Sequence, residues 1–576
     1  HAGETAYPDN RQGNVLLYYL ASSNYQEGDP EIWIDTIREY DTSEQTGEGG
    51  ITDWKLPAEA QDFYKAAFRV EDGYWVFDNS DRSKQLKIPL LSARTVWNGK
   101  MAADLTAEEM DAYAAAQRQD ILTNVGIVYD LSERAAQETY ALLDLDGDGT
   151  PDYEMDDTVG KEGAELAFES YLRGTAGVRE VERNTSGKVV SEKWTTAPQP
   201  GDNVVLTIDI DLQKQVEDIL SQAIPQLASE DTEGAACVVM DVNRAEVLAS
   251  ASYPSYHLAT YSADLAENSA DPLKPFLNRA FQGVYAPGST FKMVTAVAGL
   301  ESGIIEPDTE IMDTGVYTYY QDDGPQCWYW RQYRRKHGLV NVSEALEVSC
   351  NVFFFDVGRR VGIQGLQEFA AKFGLGEPTG IELYEETGVM AGPEYTQSMG
   401  QTWYEGSTLS VAIGQESSQF TPLQLANYIA TLVNGGTRYS AHLLKEVKSS
   451  DFSQVLYTYE PEVLDSIDIQ PENLDAVKAG MLALTTGKGS LARYFQDLPV
   501  QVGAKTGSAQ VNAETESNAV FVCFAPYDDP QIAISLVVEK GGSRSTLASI
   551  AADILRYYFS AEESREETLT ENTLIR

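Results

Sequence analysis

Apolar and polar residues are arranged in two different ways along the chain, and the change between them falls near residue 200. Before it, short aromatic-rich runs such as residues 15–20 and 74–77 are separated by polar turns, which is typical of a mixed α and β module. After it, longer apolar runs predict strands and helices with large buried faces. The pattern predicts a multidomain α+β protein with an N-terminal region (1–200), a larger domain (201–560) and an acidic tail (561–576).

Capping and turn signals predict several elements of the N-terminal region. A capping-box sequence begins a helix over residues 105–119, and an amphipathic helix over residues 163–174 ends at a glycine. Residues 178–190 predict a hairpin that turns at residues 184–187. The proline-containing segment 195–202 predicts the linker between the two regions.

The larger domain shows the alternation of a sheet protein with buried helices. Residues 204–209 predict a strand and residues 211–220 a helix. The remaining predicted strands are residues 235–241, 246–252, 500–511, 519–525 and 531–538.

One almost wholly apolar run, residues 293–300, predicts a buried helix. Pro287 and Gly288 break the chain before it, and Ser289 and Lys292 follow the break. Residues three apart share a helix face, so the hydroxyl of Ser289 and the amine of Lys292 can meet. A buried lysine can become a neutral base, which makes a neighbouring serine nucleophilic. The alternative is an N-capping serine and a lysine whose amine reaches solvent.

A second motif supplies partners for this pair. Ser349 and Asn351 lie two residues apart on a predicted turn between apolar segments. The hydroxyl of Ser349 can pass a proton between the lysine and a leaving amine. The amide of Asn351 can hold the lysine and a substrate carbonyl.

A third motif lies on the predicted strand at residues 500–511 and consists of Lys505, Thr506, Gly507 and Ser508. A cation and hydroxyls on a strand edge can bind a substrate carboxylate. Gly507 has no side chain, so a substrate backbone can lie alongside it. The backbone N–H groups of Ser289 and Ser508 are the predicted oxyanion-hole pair.

Ser-x-x-Lys, Ser-x-Asn and Lys-Thr-Gly in this order are typical of penicillin-binding proteins and serine β-lactamases. The chain resembles the class B penicillin-binding proteins, the monofunctional peptidoglycan D,D-transpeptidases, and among them the elongation type. The resemblance covers residues 160–558, with matching blocks at residues 278–292, 413–426 and 503–510 and a pedestal segment at 163–177. It implies a β-lactamase-like domain, with an antiparallel sheet flanked by helices, on an N-terminal pedestal of the dimerisation type.

The resemblance also implies a reaction. Ser289 would attack the D-alanyl-D-alanine of a peptidoglycan stem peptide, Lys292 would be the base, and the third motif would bind the terminal carboxylate. The acyl-enzyme would pass to a neighbouring stem amine, and β-lactams would acylate and inhibit the enzyme. No organic cofactor is implied. A D,D-carboxypeptidase or β-lactamase of the same fold, or a non-catalytic cell-wall scaffold, remains the alternative.

A zinc site beside the nucleophile is a further hypothesis. Cys327, His337 and Cys350 carry favoured zinc ligands. Their spacing fits no zinc-finger pattern, so the residues alone favour two free thiols and a loop histidine. Elongation-type members of the family can carry zinc at this place, with an aspartate from an Asp-x-Gly turn. The resemblance therefore implies Asp313 as the fourth ligand, which Asp322 or Asp323 could replace.

An acidic loop in the N-terminal region has the spacing of an EF-hand-like calcium site. Asp144, Asp146, Asp148 and Asp152 fall at loop positions 1, 3, 5 and 9, but position 12 is Met155 rather than glutamate. The alternatives are a solvated acidic turn, or a calcium-binding adhesion protein, which would leave the Lys-Thr-Gly motif unexplained.

Composition limits the surroundings in which the protein acts. With 42 basic against 89 acidic residues, the net charge of −47 argues against binding of nucleic acid or anionic lipid through the overall field. Four cysteines are too few for a disulfide framework, and no apolar run is long enough to cross a membrane. We expect a domain at the extracytoplasmic face of a bacterial cell membrane, held by an N-terminal anchor that the sequence does not include. The resemblance implies a SEDS-type glycosyltransferase as its membrane partner.

The sequence departs from the family in three ways. The Arg-Gly-x-Ile-x-Asp-Arg-Asn-Gly block that usually follows the membrane anchor is not found, and residues 1–105 match no module that we recognise in the sequence. Glu416 stands where the family often has glycine. The role in elongation, division or sporulation stays open.

Overall fold

The structure is a computed structural model that describes residues 159–184, 186, 188–227, 232–321, 323–509, 517–541 and 544–571, together with ten short strands before residue 102. The chain divides into two compact units, His1–Thr158 and Val159–Arg576. The predicted helix at residues 105–119 and the predicted calcium loop, with Asp144, Asp146, Asp148 and Asp152, lie outside the described residues.

The strands of the first unit pair antiparallel in small sheets, and both aromatic-rich runs lie on strands. Thr36–Asp41 is the central strand of one three-stranded sheet, and Tyr74–Asp78 is the central strand of another. The other strands of this unit are Leu16–Ala21, Trp33–Ile34, Gly50–Lys55, Asp62–Phe63, Phe68–Glu71, Gln85–Pro89, Val96–Trp97 and Lys100–Met101.

The second unit begins with the predicted helix and hairpin, although the helix is divided in two. Gly163–Ala167 and Glu169–Leu172 are separate short helices, because Phe168 leaves the helical conformation between them and is only 2% exposed. The hairpin Val178–Arg183 and Val189–Thr196 follows as predicted. The side chain of Asn184 closes its turn by accepting from the N–H of Lys188 at 3.0 Å.

A five-stranded antiparallel sheet forms the centre of the second unit. Its order is Val247–Tyr253, Ala235–Asp241, Ile532–Val538, Asn518–Ala525 and Gly503–Ala509. Both faces are buried, because successive side chains of a strand point to opposite faces and both sets here are apolar. Val238 packs into the core on one side of the sheet, and Val239 packs into the core on the other.

Helices cover both faces of this sheet and complete the predicted architecture. One face packs against the layer that contains Lys292–Glu301 and Pro422–Val433, and the other packs against Ile210–Ala223. The other helices are Tyr261–Ala270, Trp328–Tyr333, Val342–Glu347, Asn351–Lys372, Pro393–Ser398, Ser407–Val411, Pro471–Thr485, Ala492–Phe495 and Arg544–Glu571. The remaining strands are Asn203–Leu206, Ile311–Asp313, Gly338–Val340, Thr437–Tyr439, Leu444–Lys448, Val455–Thr458 and Val463–Ser466.

The strand predicted at residues 204–209 ends earlier, at Leu206, for a local reason. The hydroxyl of Thr207 donates to the carbonyl oxygen of Val247 at 2.7 Å, which turns the chain away from the strand. The carboxylate of Asp209 then accepts from the backbone N–H groups of Asp211 and Leu212 and caps the helix Ile210–Ala223.

A buried ion pair ties the segment before the nucleophile candidate to the end of the central sheet. The Nε of Arg279, a residue that is 3% exposed, lies 3.1 Å from a carboxylate oxygen of Glu539. The hydroxyl of Tyr285 donates to the same carboxylate at 2.7 Å. Because these groups are held at a strand end, they fix the approach of the chain to Ser289. No helix in the described part of the chain is long and apolar enough to span a membrane.

Candidate active site

The first motif lies where a tight turn enters a buried helix. Gly288–Phe291 form a 3-10 turn that contains the half-buried Ser289, and Lys292 begins the helix Lys292–Glu301. Gly288 has a φ of +54°, and a Cβ at this position would lie 2.7 Å from the carbonyl oxygen of Ser508. The turn therefore requires glycine, since its backbone lies directly against the strand that carries the third motif.

Lys292 is fully buried, and its amine has a complete set of polar neighbours. Its Nζ donates to the carbonyl oxygen of Ser349 at 2.9 Å, to Oγ of Ser349 at 3.1 Å and to Oδ1 of Asn351 at 2.7 Å. The ring of Phe354 lies 5.5 Å from the same nitrogen. The structure thus joins the first motif to the second through the lysine amine.

Ser349 joins the second motif to the third. It lies in the turn between the helices Val342–Glu347 and Asn351–Lys372, with a φ of +54°. This left-handed conformation is strained for a serine, and such strain is concentrated at functional sites. Its Oγ also accepts a hydrogen bond from Nζ of Lys505 at 3.1 Å. One hydroxyl therefore lies between two lysine amines.

The third motif occupies the edge strand Gly503–Ala509, with Lys505 buried and Ser508 exposed. A Cβ at Gly507 would lie 2.4 Å from the carbonyl oxygen of Pro287, so this glycine allows the strand to approach the nucleophile turn. Gln415 also holds this strand, because its Nε2 donates to the carbonyl oxygen of Ser508 at 3.1 Å.

This arrangement has the parts that acyl transfer to a serine requires. The half-buried Ser289 lies three residues before the buried Lys292, and the hydroxyl of Ser349 lies 3.1 Å from the Lys292 amine, where it can relay a proton. Beyond the buried Lys505 and Thr506, the exposed Ser508 offers its hydroxyl to an anionic ligand. Sequence reasoning assigned no role to Gln415, although it lies in the block at residues 413–426. Its contact with Ser508 depends on tertiary structure.

Four residues beside the second motif form a compact group of metal ligands. One ligand atom from each of Asp313, Cys327, His337 and Cys350 lies within 4.8 Å of every other. Nδ1 of His337 is 2.7 Å from Oδ2 of Asp313 and 3.6 Å from Sγ of Cys327. Asp313 is 1% exposed, and the two cysteines are fully buried. Asp313 rather than Asp323 lies in this group, whereas Asp322 lies outside the described residues.

The charges of this group depend strongly on one another. A hydrogen bond with Cys350 lowers the pKa of Cys327 to about 4, with a further contribution from His337, although burial opposes the thiolate. Burial also disfavours the imidazolium of His337, but hydrogen bonds with Asp313 and Cys327 outweigh it and raise the pKa to about 9. Burial raises the pKa of Asp313, but the hydrogen bond with the His337 ring and those from the backbone N–H groups of His337 and Gly315 together outweigh it and lower the pKa to about 2. In this state the protons on His337 and Cys350 balance the neighbouring anions, and a bound divalent cation would displace those protons and take both sulfur atoms, the imidazole and the carboxylate as ligands.

This ligand group is connected directly to the second motif. Cys350 is the residue between Ser349 and Asn351, and the backbone N–H of Asn351 donates to Sγ of Cys327 at 3.4 Å. The indole N–H of Trp328 donates to the carbonyl oxygen of Val348 at 3.0 Å. The donor set of two thiols, one imidazole and one carboxylate fits a four-coordinate zinc ion.

Comparison with protein families gives two matches. The family model described as the penicillin-binding protein transpeptidase domain matches residues 235–556, and the model described as the penicillin-binding protein dimerisation domain matches residues 124–206. The first match covers more than half of the chain and contains all three motifs.

Among curated proteins, the chain is similar to the peptidoglycan D,D-transpeptidase MrdA of Escherichia coli K12. The identity is 33% over 449 residues, which cover 73% of this chain and 68% of that protein. Penicillin-binding protein 2A of Bacillus subtilis 168 is 30% identical over 457 residues, which cover 73% of this chain and 60% of that protein.

Solved structures of similar proteins share the fold. PBP2 of Pseudomonas aeruginosa in complex with WCK 5153 has a TM-score of 0.58 at 30% identity, over 69% of this chain and 84% of that one. A complex of PBP2 and MreC from Helicobacter pylori has a TM-score of 0.60 at 25% identity, over 70% of this chain and 72% of that one. A peptidoglycan synthase complex has a TM-score of 0.60 at 30% identity, over 71% of both chains.

Proposed function

The chain belongs to the penicillin-binding protein transpeptidases, as an elongation-type member of class B, and from this premise we propose how its residues act. It is a serine-type D,D-transpeptidase that cross-links peptidoglycan through an acyl-enzyme, and β-lactams acylate and inhibit it. The observation that carries the proposal is the hydroxyl of Ser349, which accepts hydrogen bonds from the amines of both Lys292 and Lys505.

In the proposed acylation step, Oγ of Ser289 attacks the carbonyl carbon of the penultimate D-alanine. Lys292 takes the proton from that hydroxyl, and its position depends on Ser349 and Asn351, which hold its Nζ at 2.7–3.1 Å. The proton passes through the hydroxyl of Ser349 to the leaving nitrogen, and the terminal D-alanine departs as a free amino acid.

The substrate carboxylate is proposed to lie at the strand edge, against the hydroxyls of Thr506 and Ser508 and the charge of Lys505. The backbone N–H groups of Ser289 and Ser508 bind the oxyanion. The contact of Gly507 with Pro287 supports this pairing, since it brings the strand and the nucleophile turn together. The amine of a neighbouring stem peptide then attacks the ester, and Ser289 regains its proton as the cross-link forms.

We propose zinc as the ion of the buried ligand group, held by Asp313, Cys327, His337 and Cys350. Its contribution is structural, because an ion bound through Cys350 fixes the turn that presents Ser349 and Asn351. The acyl-transfer chemistry itself uses no organic cofactor. Calcium at Asp144, Asp146, Asp148 and Asp152 remains a separate proposal that rests on their spacing alone.

We also propose an extracytoplasmic location beside a bacterial membrane and a SEDS-type glycosyltransferase as partner. Two observations support this assignment. The similar PBP2 of Helicobacter pylori forms a complex with MreC, and another similar chain is part of a peptidoglycan synthase complex. A polymerase that supplies glycan strands beside a cross-linking enzyme would explain such assemblies.

Labelling with a fluorescent penicillin tests the proposal. Wild-type protein should become covalently fluorescent, and Ser289→Ala should not. Ser302→Ala, which removes the hydroxyl just after the same helix, should label like the wild type. A wild-type protein that fails to label would overturn the catalytic assignment. A label that is stable for many minutes in water would exclude a β-lactamase, which releases its acyl group rapidly.

A further inference from the structure

The segment between two of the metal ligands carries an unusual concentration of positive charge. Four of the six residues at positions 331–336 are cationic, in a chain with 42 basic and 89 acidic residues. All four side chains are exposed. We call this the basic segment, and it consists of Arg331, Arg334, Arg335 and Lys336.

Among the residues that the structure describes, these cations have no acidic partner, despite the excess of acid in the chain. No ion pair or side-chain hydrogen bond joins any of the four to another residue in the part of the chain that the structure describes. Exposed lysines and arginines in an acidic protein would normally pair with nearby carboxylates. Four that remain unpaired together form a local positive potential, which acts over about 8 Å at physiological salt.

Two side chains of the basic segment pack against the ring of Trp330, which is itself held in place. The Trp330 ring lies 5.4 Å from Nζ of Lys336 and 5.9 Å from the guanidinium carbon of Arg334. A Cβ at Gly315 would lie 2.7 Å from the indole, so the Trp330 ring packs directly over the backbone of that glycine. Gly315 belongs to the same turn as the metal ligand Asp313, whose Oδ1 accepts from the Gly315 N–H at 2.7 Å.

The basic segment is also connected to the turn that contains Ser349. Cys327 and His337 bound the segment on either side, and both belong to the buried ligand group. Trp328 donates to the carbonyl oxygen of Val348, the residue immediately before Ser349. A ligand held on the basic segment would therefore lie close to the groups that carry out cross-linking.

We propose that the basic segment is a docking site for the carboxylates of the peptidoglycan polymer. The proposal rests on the function proposed above, because the polymer is the substrate of that reaction. Stem peptides carry several carboxylates, and glycan rings offer flat apolar faces. Guanidinium groups bind carboxylates in a bidentate manner, and exposed aromatic rings such as Tyr333, which is 55% exposed, can pack on sugar rings. The site would hold a strand next to the catalytic turn and independently of the D-alanyl-D-alanine group.

Co-sedimentation of the whole protein with purified peptidoglycan sacculi tests this docking site. The test variant replaces all four cations of the basic segment, as R331Q/R334Q/R335Q/K336Q. The matched control replaces four exposed cations elsewhere, as R183Q/K188Q/K193Q/K214Q. The test variant should bind sacculi at least about tenfold more weakly, since four exposed ion pairs together account for that much, and the control should bind like the wild type. Wild-type binding should weaken as salt rises.

Three results would overturn the proposal: equal binding by the test variant and the wild type, an equal loss in the control variant, or wild-type binding to phosphatidylglycerol vesicles in preference to sacculi. An unchanged thermal midpoint of the test variant shows that its loss of binding does not come from unfolding. Penicillin labelling of the wild type is measured alongside. A failure to label counts against the proposed catalytic function, whereas a failure to bind sacculi counts against the docking site alone.

Discussion

Nζ of Lys505 donates a hydrogen bond to Oγ of Ser349 over 3.1 Å, although 156 residues of chain separate them. The contact exists because the edge strand of the central sheet passes beside the turn before the helix Asn351–Lys372. Nζ of Lys292, at the start of the helix Lys292–Glu301, donates to the same hydroxyl at 3.1 Å. The three motifs thus meet at one oxygen atom, and the first prediction concerns that atom.

Ser349→Ala should slow acylation by a β-lactam about 10²- to 10⁴-fold, because the hydroxyl that relays the proton is removed. Stopped-flow or gel-based measurement of the second-order acylation rate checks this. Ser343→Ala is the matched control, since its hydroxyl donates to the carbonyl oxygen of Ala476 rather than to a lysine. An unchanged rate in Ser349→Ala, or an equal loss in Ser343→Ala, would contradict the relay.

His337→Ala should lower the zinc content of the purified protein from about one per chain to well below one, because one of four ligands is lost. Elemental analysis of protein never exposed to chelator measures it. The thermal midpoint should fall together with the zinc content. His257→Ala, which removes an exposed histidine outside the ligand group, should change neither. Wild-type protein that contains well below one zinc per chain would contradict the metal assignment.

Arg279→Ala should lower the free energy of unfolding by about 3 kcal/mol, because the carboxylate of Glu539, whose side chain is 14% exposed, would lose its cation. Chemical denaturation measures the loss. Arg183→Ala, at an exposed position of the hairpin, should cost less than about 0.5 kcal/mol. A loss below about 1 kcal/mol in Arg279→Ala would show that the pair does not hold the chain before Ser289.

His442 should make stability depend on pH. It is 1% exposed, and its ring stacks on Tyr459 with the ring centroids 4.0 Å apart. Burial lowers its pKa below the usual value, while the charges of Glu382 and Glu246 oppose this shift more weakly. The unfolded chain therefore binds a proton near pH 6.5 when the folded chain does not. Stability should be fully present above about pH 6.5 and should fall as the pH drops from there toward the folded pKa.

His442→Phe keeps a ring against Tyr459 and removes the titrating group. Each unit by which the folded pKa is lowered corresponds to about 1.4 kcal/mol, so the loss of stability between pH 7 and pH 5 should be smaller in the variant than in the wild type. The contact between Nδ1 and the carbonyl oxygen of Ser440 opposes the lowering of the His442 pKa, and the variant loses it together with the titrating ring. Parallel curves of unfolding free energy against pH would contradict the prediction.

Much of the fold was predictable from sequence because the signals were local. The apolar run after Lys292, the alternation in the central strands and the order of the three motifs gave a fold class and a family that the comparisons confirm. The ligand group of Asp313, Cys327, His337 and Cys350 was also predicted, and the structure brings these residues together. That prediction came from resemblance, since their spacing alone fits no zinc pattern.

What the sequence did not predict depends on contacts between distant segments. The break of the first helix at Phe168 follows from burial of that side chain, which no local propensity indicates. The ion pair of Arg279 and Glu539 joins residues 260 positions apart. The helix Asn351–Lys372 contains a kink at Gly362, with a φ of +79°, a conformation that glycine permits but that a single glycine in a helical segment does not by itself predict.

The most direct test of the central claim is peptide mapping by mass spectrometry after exposure of the whole protein to a β-lactam. One adduct per chain is expected, on the peptide that contains Ser289, and none is expected on that peptide in Ser289→Ala. An adduct on any other residue, or none at saturating β-lactam, would contradict the assignment of Ser289 as the nucleophile.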